Sequence, residues 1–171
     1  MPLPSNSSSP ATRPARAKAP PFDLVLEEHG PAVLRFCVAQ VGAQRADDCF
    51  QETMLSALRA YGQLRDPHAV KAWLFSIAVR KAIDTHRANA RTADPSEEID
   101  EHAAAPEQRP AVEQEELWER VRALSDKQRQ AVTLRYRGDL THRVVAQIMQ
   151  ITEAAARRNV FEGLKRLRED T

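Results

Sequence analysis

Glycine and aromatic residues are scarce in this chain: its 171 residues hold five glycines, five phenylalanines, two tyrosines and two tryptophans. With so few glycines, there is little supply of the left-handed turn positions that join successive strands. Alanine, leucine, arginine, glutamate and glutamine are abundant instead, and all favour helix. The expected fold class is therefore all-α.

Cysteine is also sparse. Cys37 and Cys49 fall within helical patterns beside apolar neighbours, where a small hydrophobe fits and no disulfide is required. No CxxC pair and no Cys/His cluster has metal-ligand spacing, so neither a metal nor a cofactor is expected. Long apolar runs are missing: none approaches the roughly 18–20 residues of a membrane span. The N-terminal stretch "MPLPSNSSSPATRPARAKAPP" lacks the apolar centre of a signal peptide. A soluble, cytoplasmic protein without membrane insertion is expected. His29, His68, His86, His102 and His142 are dispersed, and no phosphate loop or activated nucleophile accompanies them, which argues against an enzyme.

Charge of one sign is not in excess, because the formal net charge is +1. The distribution is more telling. Residues 1–21 carry three basic groups and no acidic ones, whereas residues 92–111 carry six acidic groups and one basic. Any nucleic-acid binding must therefore rest on local faces.

Residues 1–21 are rich in Pro, Ser and Ala and read as a mobile tail, unable to bury enough apolar surface to offset its ordering entropy. "TADPSEEIDEHAAAPEQRPA", residues 92–111, reads as a flexible acidic linker between two small helical modules. The first module covers residues 22–91. In it, Val33, Leu34, Cys37, Val38 and Val41 follow helical spacing after Gly30–Pro31. Phe50, Met54, Ala57 and Tyr61 do so again from about Asp47. A third run after Asp66–Pro67 sets Val70, Trp73, Leu74, Ile77 and Ala78 on one side.

The second module covers residues 112–171. Leu117, Val121 and Leu124 form one stripe. Ser125 to Gln128 has the Ser-x-x-Gln form of a capping box, opening a helix that carries Ala131, Val132, Leu134 and Tyr136 and stops near Gly138. A short helix from Thr141 turns Val144, Val145 and Ile148 inward. Thr152 then caps a longer helix whose buried stripe is Ala156, Val160, Leu164 and Leu167. Its other side shows Arg157, Arg158, Lys165, Arg166 and Arg168 against Glu162. A short helix, a tight turn and a longer helix with a basic face is the layout of a helix-turn-helix. Taken alone, the same pattern suits a solvated face on an ordinary packed helix.

Two features of the first module point outward. Leu55 sits among Asp48, Gln51, Glu52 and Arg59 on a polar helix face, as at a docking surface where apolar contact is ringed by charge. An exposed leucine is also common in its own right. Further on, Arg80, Asp84, Arg87 and Arg91 make a stripe with Lys81 beside it and Trp73 near its start. Helix-surface pairing explains part of that stripe. Basic groups beside an aromatic also suit single-stranded nucleic acid.

In this order, "ADDCFQETMLSALRAYGQLRD", "VKAWLFSIAVRKAIDTHRANAR" and "LSDKQRQAVTLRYRGDLTHRVVAQIMQITEAAARRNVFEGLKRLRE" resemble the extracytoplasmic-function (ECF) alternative sigma factors of bacterial RNA polymerase, of the sigma-70 superfamily. The resemblance covers residues 22–170. It implies that Asp48, Gln51, Glu52, Leu55 and Arg59 dock on core polymerase at the β′ clamp helices, with the β flap as a further contact. Trp73, Arg80, Lys81, Asp84 and Arg87 would meet the melted minus-ten element. Thr152, Glu153, Ala155, Arg157, Arg158 and Asn159 would face the minus-thirty-five element, and residues 92–111 would thread towards the active centre, where acidic groups can imitate RNA against basic walls. An anti-sigma factor is a partner such proteins often have. Val79, Gln150, Asn159 and Glu162 depart from residues the family commonly shows. The other reading of the residues is a helix-turn-helix regulator that binds duplex DNA without being a polymerase subunit.

Overall fold

The computed structural model describes residues 19–92 and 112–169. Seven α-helices are found among them: α1 (Phe22–Val41), α2 (Ala43–Ala60), α3 (Val70–Thr92), α4 (Val112–Ala123), α5 (Asp126–Tyr136), α6 (His142–Met149) and α7 (Glu153–Glu169). Two short 3-10 turns, Tyr61–Gln63 and Pro67–Ala69, join α2 to α3. No strand occurs among the described residues. The expected linker, from residue 93 on, and residues 1–18 of the expected tail lie outside them.

Helix α1 runs straight through Gly30–Pro31, where the sequence suggested a start. Proline costs one internal hydrogen bond, but Val25 before it and Val33, Phe36 and Cys37 after it share one buried face, and packing holds the helix together. Gly42, at φ 81°, then turns the chain directly into α2, which begins at Ala43 instead of near Asp47. α3 closes the first module against both helices, with Phe36 of α1 meeting Phe75 of α3 edge to face at 5.6 Å between ring centroids. Phe75, Val79 and Ala82 join Val70, Leu74 and Ala78 in the interior, so α3 is buried over a wider arc than one stripe. The unusual Val79 is a core residue.

At the other end of α2, Tyr61 packs between Phe22, at 5.2 Å, and Trp73, at 6.2 Å between centroids. Its hydroxyl donates to the Pro20 carbonyl, which ties down the end of the segment read as a tail. In the second module, the Gln128 N–H reaches Ser125 Oγ at a long 3.5 Å. Gln128 does not return the bond, because its Oε1 is buried without a hydrogen-bond partner. Arg129 instead serves the preceding helix end, from a buried position. Its guanidinium donates to the Arg122 and Leu124 carbonyls at 2.9 and 3.3 Å, satisfying the end of α4, and pairs with Asp126.

Three second-module expectations change. Leu117 and Tyr136 are exposed instead of packed, Tyr136 at 57 %. Gly138 is needed for space: a Cβ there would lie 2.6 Å from the Leu134 carbonyl oxygen, while the positive φ of that turn, 48°, falls on Asp139.

The two modules pack on one another. α1 touches α4 and α5, and α3 touches α6, so that one buried cluster runs from Val25 to Val160. Within this contact Gln40 Nε2 donates to Thr133 Oγ1 at 2.7 Å, and the Thr133 hydroxyl in turn donates to the Arg129 carbonyl at 2.6 Å. Arg137 stacks over Trp118 at 4.1 Å, and its charge is disfavoured first by burial and then by nearby Arg35.

Candidate functional site

The outer face of α2 carries Asp48, Gln51, Glu52, Leu55 and Arg59, all exposed. Buried Ala46, Cys49, Thr53, Met54 and Ala57 fix the opposite side, so the helical period forces these five outward together. Leu55 is 46 % exposed, and Leu58, which sequence reasoning passed over, is 54 % exposed. Their i, i+3 spacing was the available signal: two leucines form an apolar spot bounded by charge.

On α3, Arg80, Asp84 and Arg87 are exposed, while Lys81 is partly sheltered by its ion pair with Glu52 at 3.4 Å. Trp73 is set apart from them, half-buried against Tyr61. A groove between α2 and α3 is lined by Asp48, Glu52, Lys81 and Asp84, so the two expected sites of the first module share a wall.

In the second module the helix-turn-helix is α6 and α7. Thr141 and Thr152 cap the two helices through bonds from the Val144 and Ala155 N–H groups at 3.4 and 3.2 Å. Gln150 makes the turn between them in the left-handed region, at φ 55° and ψ 44°. Buried Ala156, Val160 and Gly163 seat α7, leaving Arg157 and Arg158 outward. Arg157 pairs with Glu153 at 2.7 Å, and that bond holds the Glu153 carboxyl below its usual range. Thr152 and Glu153 are exposed, and Ala155 and Asn159 are half-buried at the edge of the same surface. Phe161, one turn beyond Arg157, is 62 % exposed. Sequence reasoning missed it, although its spacing from Arg157 places both on one helix face.

A helical module with a charged, leucine-bearing face, followed by a helix-turn-helix module, is the build of a sigma-70-class protein. The family model described as Sigma-70 region 2 matches residues 25–92, and that described as Sigma-70, region 4 matches residues 114–167. The chain is 34 % identical to the ECF RNA polymerase sigma factor SigD of Mycobacterium tuberculosis, across 85 % of this chain and 74 % of that protein. It is 29 % identical to the RNA polymerase sigma-H factor of Pseudomonas aeruginosa, across 83 % and 81 % of the two chains. Among solved structures, the sigma factor RpoE in complex with the anti-sigma factor NepR from Bartonella quintana shares the fold, with a TM-score of 0.77. That likeness covers 86 % of this chain and 94 % of the other at 23 % identity. CnrH in complex with the cytosolic domain of CnrY is similar at a TM-score of 0.65 and 19 % identity, over 86 % and 85 % of the two chains.

The chain belongs to the ECF family of RNA polymerase sigma factors. It is an alternative sigma factor, which directs RNA polymerase to promoters.

Proposed function

We propose that residues 22–91 act as sigma region 2 and residues 112–171 as region 4, with 92–111 as the strand between them. In this reading Asp48, Gln51, Glu52, Leu55 and Arg59 dock the chain on the β′ clamp helices of core polymerase, and Leu58 joins them. The observation that carries it is the exposed Leu55–Leu58 spot inside a charged ring on α2. Apolar surface gains from burial, and the ring fixes orientation.

Arg80, Lys81 and Arg87 are assigned to the phosphates of the opened minus-ten strand, with Asp84 on the same face and Trp73 closing the end of the surface. Region 4 reads the minus-thirty-five major groove through Arg157 and Arg158, and Glu153 orients Arg157. Thr152, Ala155 and Asn159 line that surface and Phe161 extends it. The β flap is the assigned polymerase contact of this module. The chain performs no chemistry of its own: the polymerase makes the bonds, in the cytoplasm. An anti-sigma factor is proposed as a further partner, supported by the fold shared with RpoE, which was solved in complex with the anti-sigma factor NepR.

Docking is tested by mixing Leu55→Glu protein with core polymerase and measuring complex formation. Loss of the complex with an intact helical spectrum is expected. Unchanged binding would assign the docking face elsewhere. Mapping transcript 5′ ends made from genomic fragments by polymerase with and without the protein checks promoter direction.

A further inference from the structure

Three aromatic rings from three segments meet at the start of α3. Phe22, the first residue of α1, packs edge to face on Tyr61 at 5.2 Å between centroids, and Tyr61 lies 6.2 Å from Trp73 with the two rings tilted by 43°. The Tyr61 hydroxyl donates to the Pro20 carbonyl, in the stretch just before α1. The two turns that connect α2 to α3 carry their own bonds, from the Leu64 N–H to the Tyr61 carbonyl at 3.0 Å and from the His68 N–H to the Asp66 carboxylate at 2.9 Å. Tyr61 is thus held by its backbone, its ring and its hydroxyl, and Trp73 rests on a fixed support. Trp73 itself stays only half-buried. Steps of seven, four and three residues separate Trp73, Arg80, Asp84 and Arg87 along α3. The helical period therefore sets the indole on the same side as the two arginines, about 10 Å of helix before Arg80. A basic stripe that ends in an aromatic ring, with that ring braced from behind, suits an unpaired base, because stacking works best on a ring already in place.

We propose that Tyr61 and Phe22 are positioning residues for Trp73, which stacks on an unpaired base of the opened promoter strand. The inference rests on the assignment of this side of α3 to the minus-ten strand and deepens it. Phe22 buttresses the Tyr61 ring, the Pro20 carbonyl anchors its hydroxyl, and Tyr61 supports the indole while leaving the rest of its surface to the base. A side chain fixed before binding loses less freedom when the base arrives. The residues immediately before α1 thereby belong to the nucleic-acid surface, although they reach the strand only through Tyr61 and Trp73.

Trp73 and Trp118 are the only tryptophans in the chain, so full-length Trp118→Phe protein reports the emission of Trp73 alone. In that background Tyr61→Phe keeps both ring contacts and removes only the donor to Pro20. A red-shifted emission and faster acrylamide quenching are expected, and again with Phe22→Ala, at an unchanged helical spectrum. Each variant is then bound to core polymerase and titrated with a short fluorescein-labelled single-stranded DNA of mixed sequence, with core polymerase alone as the blank. Trp73→Ala should weaken strand binding by about 5- to 100-fold. Tyr61→Phe and Phe22→Ala should weaken it by about 2- to 10-fold while core binding stays the same. Unchanged strand binding by Trp73→Ala would take Trp73 out of the surface and overturn the minus-ten reading of that residue. Weakened binding by Trp73→Ala beside unchanged binding by both supporting variants would leave that reading standing and overturn the positioning role, as would a loss of thermal stability alone.

Discussion

Lys81 Nζ lies 3.4 Å from Glu52 Oε2, joining the face of α3 assigned to DNA to the face of α2 assigned to polymerase. Glu52 is 61 % exposed and Lys81 28 %, so water screens the pair from one side. A double-mutant cycle on Glu52→Gln and Lys81→Met is expected to return a coupling of only about 0.2–1 kcal/mol in stability, shrinking as salt is added. Activity should respond more strongly. Glu52→Gln frees Lys81 while weakening docking, and separate measurements of core binding and minus-ten strand binding resolve the two effects.

Thr133→Val should show how firmly the modules hold together. Valine keeps the shape but removes the acceptor of the Gln40 amide, leaving a buried N–H unsatisfied at a cost of about 1–3 kcal/mol. Urea unfolding of the whole chain should move to lower denaturant by that amount. Modules that unfold independently of their contact would show no shift.

Gly163 sits where α7 crosses α5, and a Cβ on it would come within 2.7 Å of Val132 Cγ2. Alanine gains up to about 1 kcal/mol in helix propensity. The crowding outweighs this, at about 1–3 kcal/mol for an overpacked contact, so Gly163→Ala is expected to be destabilising in thermal unfolding. Pairing it with Val132→Ala should recover part of the loss, because the clash is with that methyl.

Gln150 holds the left-handed turn of the helix-turn-helix with a side chain that gains nothing from that backbone. Gln150→Gly should relieve strain and raise stability by up to about 1 kcal/mol, whereas Gln150→Val should lower it by at least as much. Circular dichroism melts check both. Duplex binding by the Gly variant should be unchanged if the turn geometry is already correct.

Much of this molecule is legible from periodicity and composition. The helical runs, the Thr141 and Thr152 caps, the outward set on α2 and the basic side of α7 follow from local spacing, since a helix presents the same face wherever it is placed. Gly30–Pro31 and Gly138 misled for a related reason. Local propensity marks a weak point in a helix or turn, and tertiary packing decides whether it breaks or what it must make room for.

What the sequence determined by itself, then, is an all-helical chain in two modules with three outward faces and a family to match. Only the tertiary structure decided that Val79 is core, that Arg129 closes the end of α4, that Trp73 leans on Tyr61, and that Gln40 finds Thr133. It also brought Glu52 to Lys81. Each of these depends on which helix faces which, a relation set by the summed packing of distant segments, to which no local repeat in the chain gives access.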